Sequence, residues 1–205
     1  MLLIYGGGMA TGIVCKDGVA VGADKRYAFS NLIASKRGKK VHLIADRIGW
    51  ASTGIIADIQ YVTRVIVANN TLYTLENQRT MSVRATVKLL SNFLYGDRFF
   101  PKWVEPVVGG YDLNEKKAHL YSMDAWGSLT EERFAAAGTG ATFALGLLED
   151  AYKPEMSLKE GGELLGRVFR STLSRDSASG GGFDILLISE KGAEWIHKEI
   201  PELKI

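Results

Sequence analysis

The sequence predicts an α+β fold, and three observations carry that prediction. Apolar runs of strand length lie near both ends and again mid-chain. Two pairs of apolar stripes with steps of three and four residues mark helices between them. The resulting order is strands, two helices, strands, two helices, strands. Strands this apolar bury both faces, so the sheets stack on each other and the helices lie outside, giving four layers. The pattern alone leaves the strand order open.

Residues 10–15 and 19–24 read as a strand pair around Lys16, Asp17 and Gly18, where Asp-Gly favours a tight hairpin turn. Residues 40–45 and 47–53 form a second pair that turns at Asp46. Ile55, Ile59, Val62 and Ile66 then make one helical stripe, with Asn69 and Asn70 as its expected stop. Val83, Val87, Leu90 and Leu94 repeat the spacing behind Ser82, a cap. Strands return at 105–111, 117–123 and 133–137. A helix is expected over 142–152. Another starts after Ser157, where Glu160 stands three residues on as a capping-box partner. It turns Leu165, Val168 and Phe169 inward and ends near Asp176. Residues 183–189 and 193–198 close the chain as strands.

Composition excludes several classes. A length of 205 residues suits one domain. Net charge is +2, from 25 basic and 23 acidic residues, too small to argue for nucleic acid or an acidic membrane. The single cysteine, Cys15, leaves no internal disulfide and points to a reducing, intracellular setting. The apolar head, residues 1–5, is too short for a signal peptide, and no segment reaches the about 20 apolar residues of a membrane span. His42, His119 and His197 lack ligand spacing. Gly6, Gly7 and Gly8 lack the lysine and hydroxyl of a phosphate loop.

Six segments carry a more specific signal: 12–19 (GIVCKDGV), 23–26 (ADKR), 39–41 (KKV), 51–54 (ASTG), 138–140 (GTG) and 174–180 (SRDSASG). No single piece decides, but the ordered set, spread over nearly the whole chain, resembles the β subunits of the archaeal-type proteasome core particle. The resemblance implies the N-terminal-nucleophile hydrolase fold, a four-layer αββα sandwich of two stacked antiparallel sheets flanked by helices. It implies residues 1–7 as a prosegment and 8–205 as a single β-type domain. The family cuts amide bonds with a threonine freed at the mature N-terminus, whose α-amine acts as base. No cofactor and no metal is implied.

Aligned on Gly7 and Gly12, the nucleophile position falls on Gly8, which offers no hydroxyl for attack or for self-cleavage. Two origins stay open: a replacement engineered into a catalytic subunit, favoured by the intact supporting residues, or a naturally non-catalytic β-type subunit that supports ring assembly. A shifted register would instead use Thr11. By resemblance, Lys40 is the active-site lysine beside the nucleophile and Asp24 its ion-pair partner. Asp176 and Ser179 fix the α-amine, and Thr139 stands where many relatives carry serine. Gly54 supplies the oxyanion N–H, which needs close backbone approach. Tyr27, Gly38, Ser52 and Ile56 line the pocket for the residue before the cut, and Ala28 pairs with an extended peptide. None of the four pocket positions is charged, so an apolar preference is expected. The implied partners are other β subunits in a heptameric ring, α-subunit rings and unfolded polypeptides, in the cytoplasm, with no nucleic acid and no membrane.

Overall fold

The structure is a computed structural model and describes residues 7–29 and 32–200. Most of the expected prosegment, residues 1–6, lies outside the described residues. The order is β1 (Met9–Cys15), β2 (Gly18–Asp24), β3 (Tyr27–Phe29), β4 (Leu32–Ser35), β5 (Val41–Ala45) and β6 (Ile48–Gly54), then α1 (Ile56–Asn77) and α2 (Val83–Gly96). There follow β7 (Val104–Asp112), β8 (Lys117–Ser122), β9 (Thr130–Glu131) and β10 (Phe134–Gly138), then α3 (Ala141–Ala151), α4 (Leu158–Leu173), β11 (Phe183–Ser189) and β12 (Gly192–Lys198).

Two antiparallel five-stranded sheets carry the fold, one ordered β10-β1-β2-β11-β12 and the other β5-β6-β7-β8-β9. The central strands β1, β2, β6 and β7 are buried on both faces, which is why they read as near-continuous apolar runs. Between the sheets lie Ala10, Val21, Val41, Val107 and Leu186. On the outer face of the first sheet, Met9 and Ile13 meet Leu165 and Phe169 of α4. On the outer face of the second, Trp50 and Val108 meet Ile59, Val62, Val87 and Leu90 of α1 and α2. The expected four layers are therefore present. The sheets close tightly because small residues line the interface. A Cβ added at Gly12 would meet Leu120 at 2.7 Å, and one at Gly109 would meet Val21 at 2.8 Å.

Two expected helix starts hold in detail. The Ser82 hydroxyl accepts from the Ala85 N–H at 3.1 Å. Ser157 and Glu160 form the full capping box, and Asp17 adds an acceptor for the Leu158 N–H at 2.6 Å. The expected stop at Asn69 and Asn70 is overturned, because α1 runs on to Asn77. Asn70 faces inward: its amide donates to the Ile66 carbonyl, and its oxygen accepts the Thr86 hydroxyl at 3.0 Å. A tertiary hydrogen bond thus overrides its weak helix preference. Ile55, expected on the buried stripe, is instead the extended residue ahead of the helix. The β3–β4 hairpin and the two-residue β9 were not anticipated, being too short to show a period.

Candidate active site

Three parts of the first sheet's rim converge on the residue before β1: the end of β2, the loop into α3 and the loop after α4. The chain approach to β5 adds a fourth. Asp24 closes β2 and is 1% exposed. One of its carboxylate oxygens accepts from the Met9 N–H at 3.0 Å and from Lys40 Nζ at 2.8 Å. The other accepts from the Arg26 and Gly180 N–H groups, each at 3.0 Å. Four donors on one buried carboxylate replace the water it has lost, which makes its burial tolerable.

Lys40 precedes β5 and is 2% exposed. Besides Asp24, its ammonium donates to the Gly7 carbonyl at 3.2 Å. The ammonium also lies 5.9 Å from the centre of the Tyr27 ring. The pair therefore grips the backbone on both sides of Gly8: the carbonyl before it and the N–H after it. A Cβ built on Gly8 would sit 2.4 Å from both Asp24 Oδ1 and Lys40 Nζ. The side chain of residue 8 thus points between the two charged groups. Gly8 has φ +124, a left-handed conformation that favours glycine.

On the other side of Gly8, its N–H donates to Thr139 Oγ1 at 3.1 Å. The Thr139 hydroxyl donates to Asp176 Oδ2 at 2.7 Å, and the Ser179 hydroxyl donates to the same oxygen at 2.5 Å. Asp176, Ser179 and Thr139 thus form one chain of hydrogen bonds ending on the amide of residue 8. Asp176 sits in the turn after α4, where its N–H still bonds the Thr172 carbonyl.

The remaining candidates spread out more. Gly54 ends β6 with φ +124 and is packed against the Trp103 carbonyl. Its neighbour Thr53 lies against Gly138, and a Cβ there would also meet the Gly8 carbonyl. Ser52 is fully buried, with its N–H on the Lys40 carbonyl at 3.0 Å. Tyr27 and Gly38 touch: a Cβ on Gly38 would collide with the Tyr27 ring. The Tyr27 hydroxyl donates to the Lys39 carbonyl and accepts from the Lys39 N–H, and burial raises its pKa. Ala28 pairs with Ile33 in the β3–β4 hairpin. Ile56 opens α1, half-buried and apart from the core stripe. Thr11 is fully buried in mid-strand, and its hydroxyl donates to the Ala135 carbonyl at 2.8 Å, away from the cluster.

Two participants escaped sequence reasoning. Arg26 donates its backbone N–H to Asp24 and its guanidinium to the Ser177 carbonyl at 2.7 Å, tying two arms of the site together. Glu105 accepts the Gly138 N–H at 2.8 Å. Arg26 lies in the quoted ADKR segment, but Glu105 reads as an ordinary polar strand residue and gave no signal.

Outside the cluster, Cys15 is buried, and burial, with Asp17 and Glu160 nearby, pushes its thiol up to about 12. Burial pushes His42 down to about 4. His119 and His197 each meet carboxylates, Glu115 and Glu131 for the first and Asp184 for the second. No helix among the described residues is long and apolar enough to cross a membrane.

The proteasome subunit family pattern matches residues 4–188. The chain belongs to the proteasome subunit family. It is 44% identical over 185 residues to proteasome subunit beta 2 of Caldivirga maquilingensis, covering 90% of this chain and 92% of that protein. It is 42% identical over 187 residues to proteasome subunit beta 2 of Pyrobaculum calidifontis, covering 91% of each. Proteasome subunit beta of Archaeoglobus profundus is 40% identical over 197 residues, 96% of this chain and 91% of that protein. With these archaeal relatives, the chain is a β-type subunit of the proteasome core particle. The family is one of threonine proteases, and membership implies assembly with other proteasome subunits into rings.

Proposed function

We propose that this subunit carries a threonine-endopeptidase site that is complete except for its nucleophile. The observation that carries this reading is the grip of Asp24 and Lys40 on the backbone either side of Gly8. A hydroxyl on residue 8 would lie beside an ammonium able to stabilise an alkoxide. Asp176, Ser179 and Thr139 would hold the α-amine once the preceding peptide bond were cut. The Gly54 N–H would face the oxyanion, and Tyr27, Gly38, Ser52 and Ile56 would border an apolar pocket, with Ala28 pairing to the substrate strand. Lacking the hydroxyl, the chain keeps residues 1–7 as an uncut prosegment ahead of the domain over 8–205.

In this reading the subunit occupies a heptameric β ring, stacked on a second and capped by α rings, in the cytoplasm. The substrates of the particle are unfolded polypeptides that enter its chamber. A second reading has its own support. The left-handed φ of Gly8 suits glycine, and a Cβ there needs Asp24 and Lys40 to shift. That favours a subunit adapted to non-catalytic service in ring assembly and in maturation of active neighbours.

The substitution Gly8→Thr separates the two. Assembled particles of the variant are expected to hydrolyse peptides with an apolar residue before the cut. Assembled but inert particles would replace the enzyme reading with the scaffold reading.

A further inference from the structure

Gly54 and Thr139 belong to different sheets. Gly54 ends β6 of the second sheet, and Thr139 follows β10 of the first. The ladder within either sheet does not fix one against the other. The start of β7 reaches both. Val104 pairs with Gly54, and Glu105 pairs with Thr53. The chain just ahead is anchored at Trp103. Its carbonyl accepts from the Ile55 N–H at 2.8 Å, and its N–H donates to Asp58, in the first turn of α1, at 2.9 Å.

The Glu105 side chain crosses from this anchored segment to the first sheet. Val104 packs in the core beneath α1 and α2, so strand alternation turns Glu105 the opposite way. Its carboxylate accepts from the Gly138 N–H at 2.8 Å. Gly138 is the last residue of β10, an edge strand, whose outward N–H groups lack a ladder partner. A charge-assisted bond to that N–H is shorter and stronger than a neutral one, which suits a tether between sheets. On another side Gly138 is confined by the site itself. It has φ +88, and a Cβ there would run into the Gly8 carbonyl and Thr53. The next residue is Thr139, whose hydroxyl oxygen accepts the Gly8 N–H and which donates to Asp176.

We infer that Glu105 is a positioning residue of this site: by holding the Gly138 N–H, it fixes the turn that aims the Thr139 hydroxyl at residue 8 and at Asp176. The inference deepens the enzyme reading and, for its effect on catalysis, rests on it. Glu105 acts only through Gly138 and Thr139. A carboxylate that did no more than satisfy an orphan N–H would leave the Thr139–Gly8 bond intact when removed.

The test is amide hydrogen exchange of the full chain, read residue by residue by NMR. Glu105→Leu should speed exchange at Gly138 and at Gly8 by about fivefold or more, with the mid-strand amide of Thr11 unchanged. Glu105→Gln keeps a carbonyl acceptor and should restore most of the protection at both. Thr139→Val should expose Gly8 to the same degree while Gly138 stays protected. Combining Thr139→Val with Glu105→Leu should add nothing further at Gly8, because both act on one bond. In assembled Gly8→Thr particles, Glu105→Leu should lower kcat by about tenfold with little change in KM, and Glu105→Gln should recover it. The inference is overturned by unchanged Gly8 exchange in Glu105→Leu, or by additive effects in the double variant. It is equally overturned by an active Gly8→Thr particle whose kcat ignores Glu105→Leu. An inert Gly8→Thr particle would remove the enzyme reading instead, and the exchange rates would still decide whether Glu105 holds Thr139 in place.

Discussion

Asp24 and Lys40 are each almost completely buried, so neither charge can fall back on water. Removing one partner strands the other, which costs about 3–5 kcal/mol for a buried pair. Asp24→Ala is therefore expected to lower the unfolding free energy by about that amount in urea, while a loss near zero would mean that Lys40 finds other partners. His42 sets a pH dependence. Its ordinary value of 6.5 falls to about 4 in the fold, chiefly through burial and then through Lys39. Below pH 6.5 the unfolded chain takes up a proton that the folded chain refuses until about pH 4. Stability from this group is thus present above pH 6.5 and is lost as pH falls toward 4. Melting curves across that window should drop more steeply for the native chain than for His42→Gln, and parallel curves would contradict the assignment. At this scale the sequence was legible wherever a residue type is itself the chemistry, as with Asp24, Lys40 and Asp176. Glu105 and Arg26 were not legible, because their roles depend on which backbone groups the fold carries to them.

Elements were legible in proportion to their length and to the clarity of their ends. Ser82 and Ser157 announce α2 and α4 because a hydroxyl placed to accept an orphan N–H is a local interaction, readable without the rest of the chain. The end of α1 was misjudged for the opposite reason. Asn70 is a poor helix former by itself, but a partner on α2, Thr86, sixteen residues away, keeps it in the helix. That bond joins the two outer helices of the second sheet. Asn70→Ala would leave the Thr86 hydroxyl buried without its acceptor, at a cost of about 1–3 kcal/mol. Chemical denaturation checks this, and adding Thr86→Val should recover part of the loss. The β3–β4 hairpin stayed hidden because strands of three and four residues show too little alternation to detect. It nevertheless carries Ala28 and begins at Tyr27, two of the residues expected around the substrate.

Across the molecule, stacking of doubly buried strands followed from their apolar runs, whereas the strand order did not. Hydrogen bonding of β1 between β2 and β10, and of β11 between β2 and β12, depends on long-range pairing that no window of residues encodes. That same pairing brings Asp24, Thr139 and Asp176, distant in sequence, to the start of β1. On the proposed reading, Gly8 is the position in this convergence that lacks the nucleophile. Intact mass of the chain produced alone, with no other β subunit present, tests this most directly. The chain as it stands should keep its full mass, Gly8→Thr should lose residues 1–7, and Gly8→Thr with Lys40→Ala should retain them. Loss of those residues from the unaltered chain, or their retention in assembled Gly8→Thr, would contradict the assignment of residue 8 as the vacant nucleophile position.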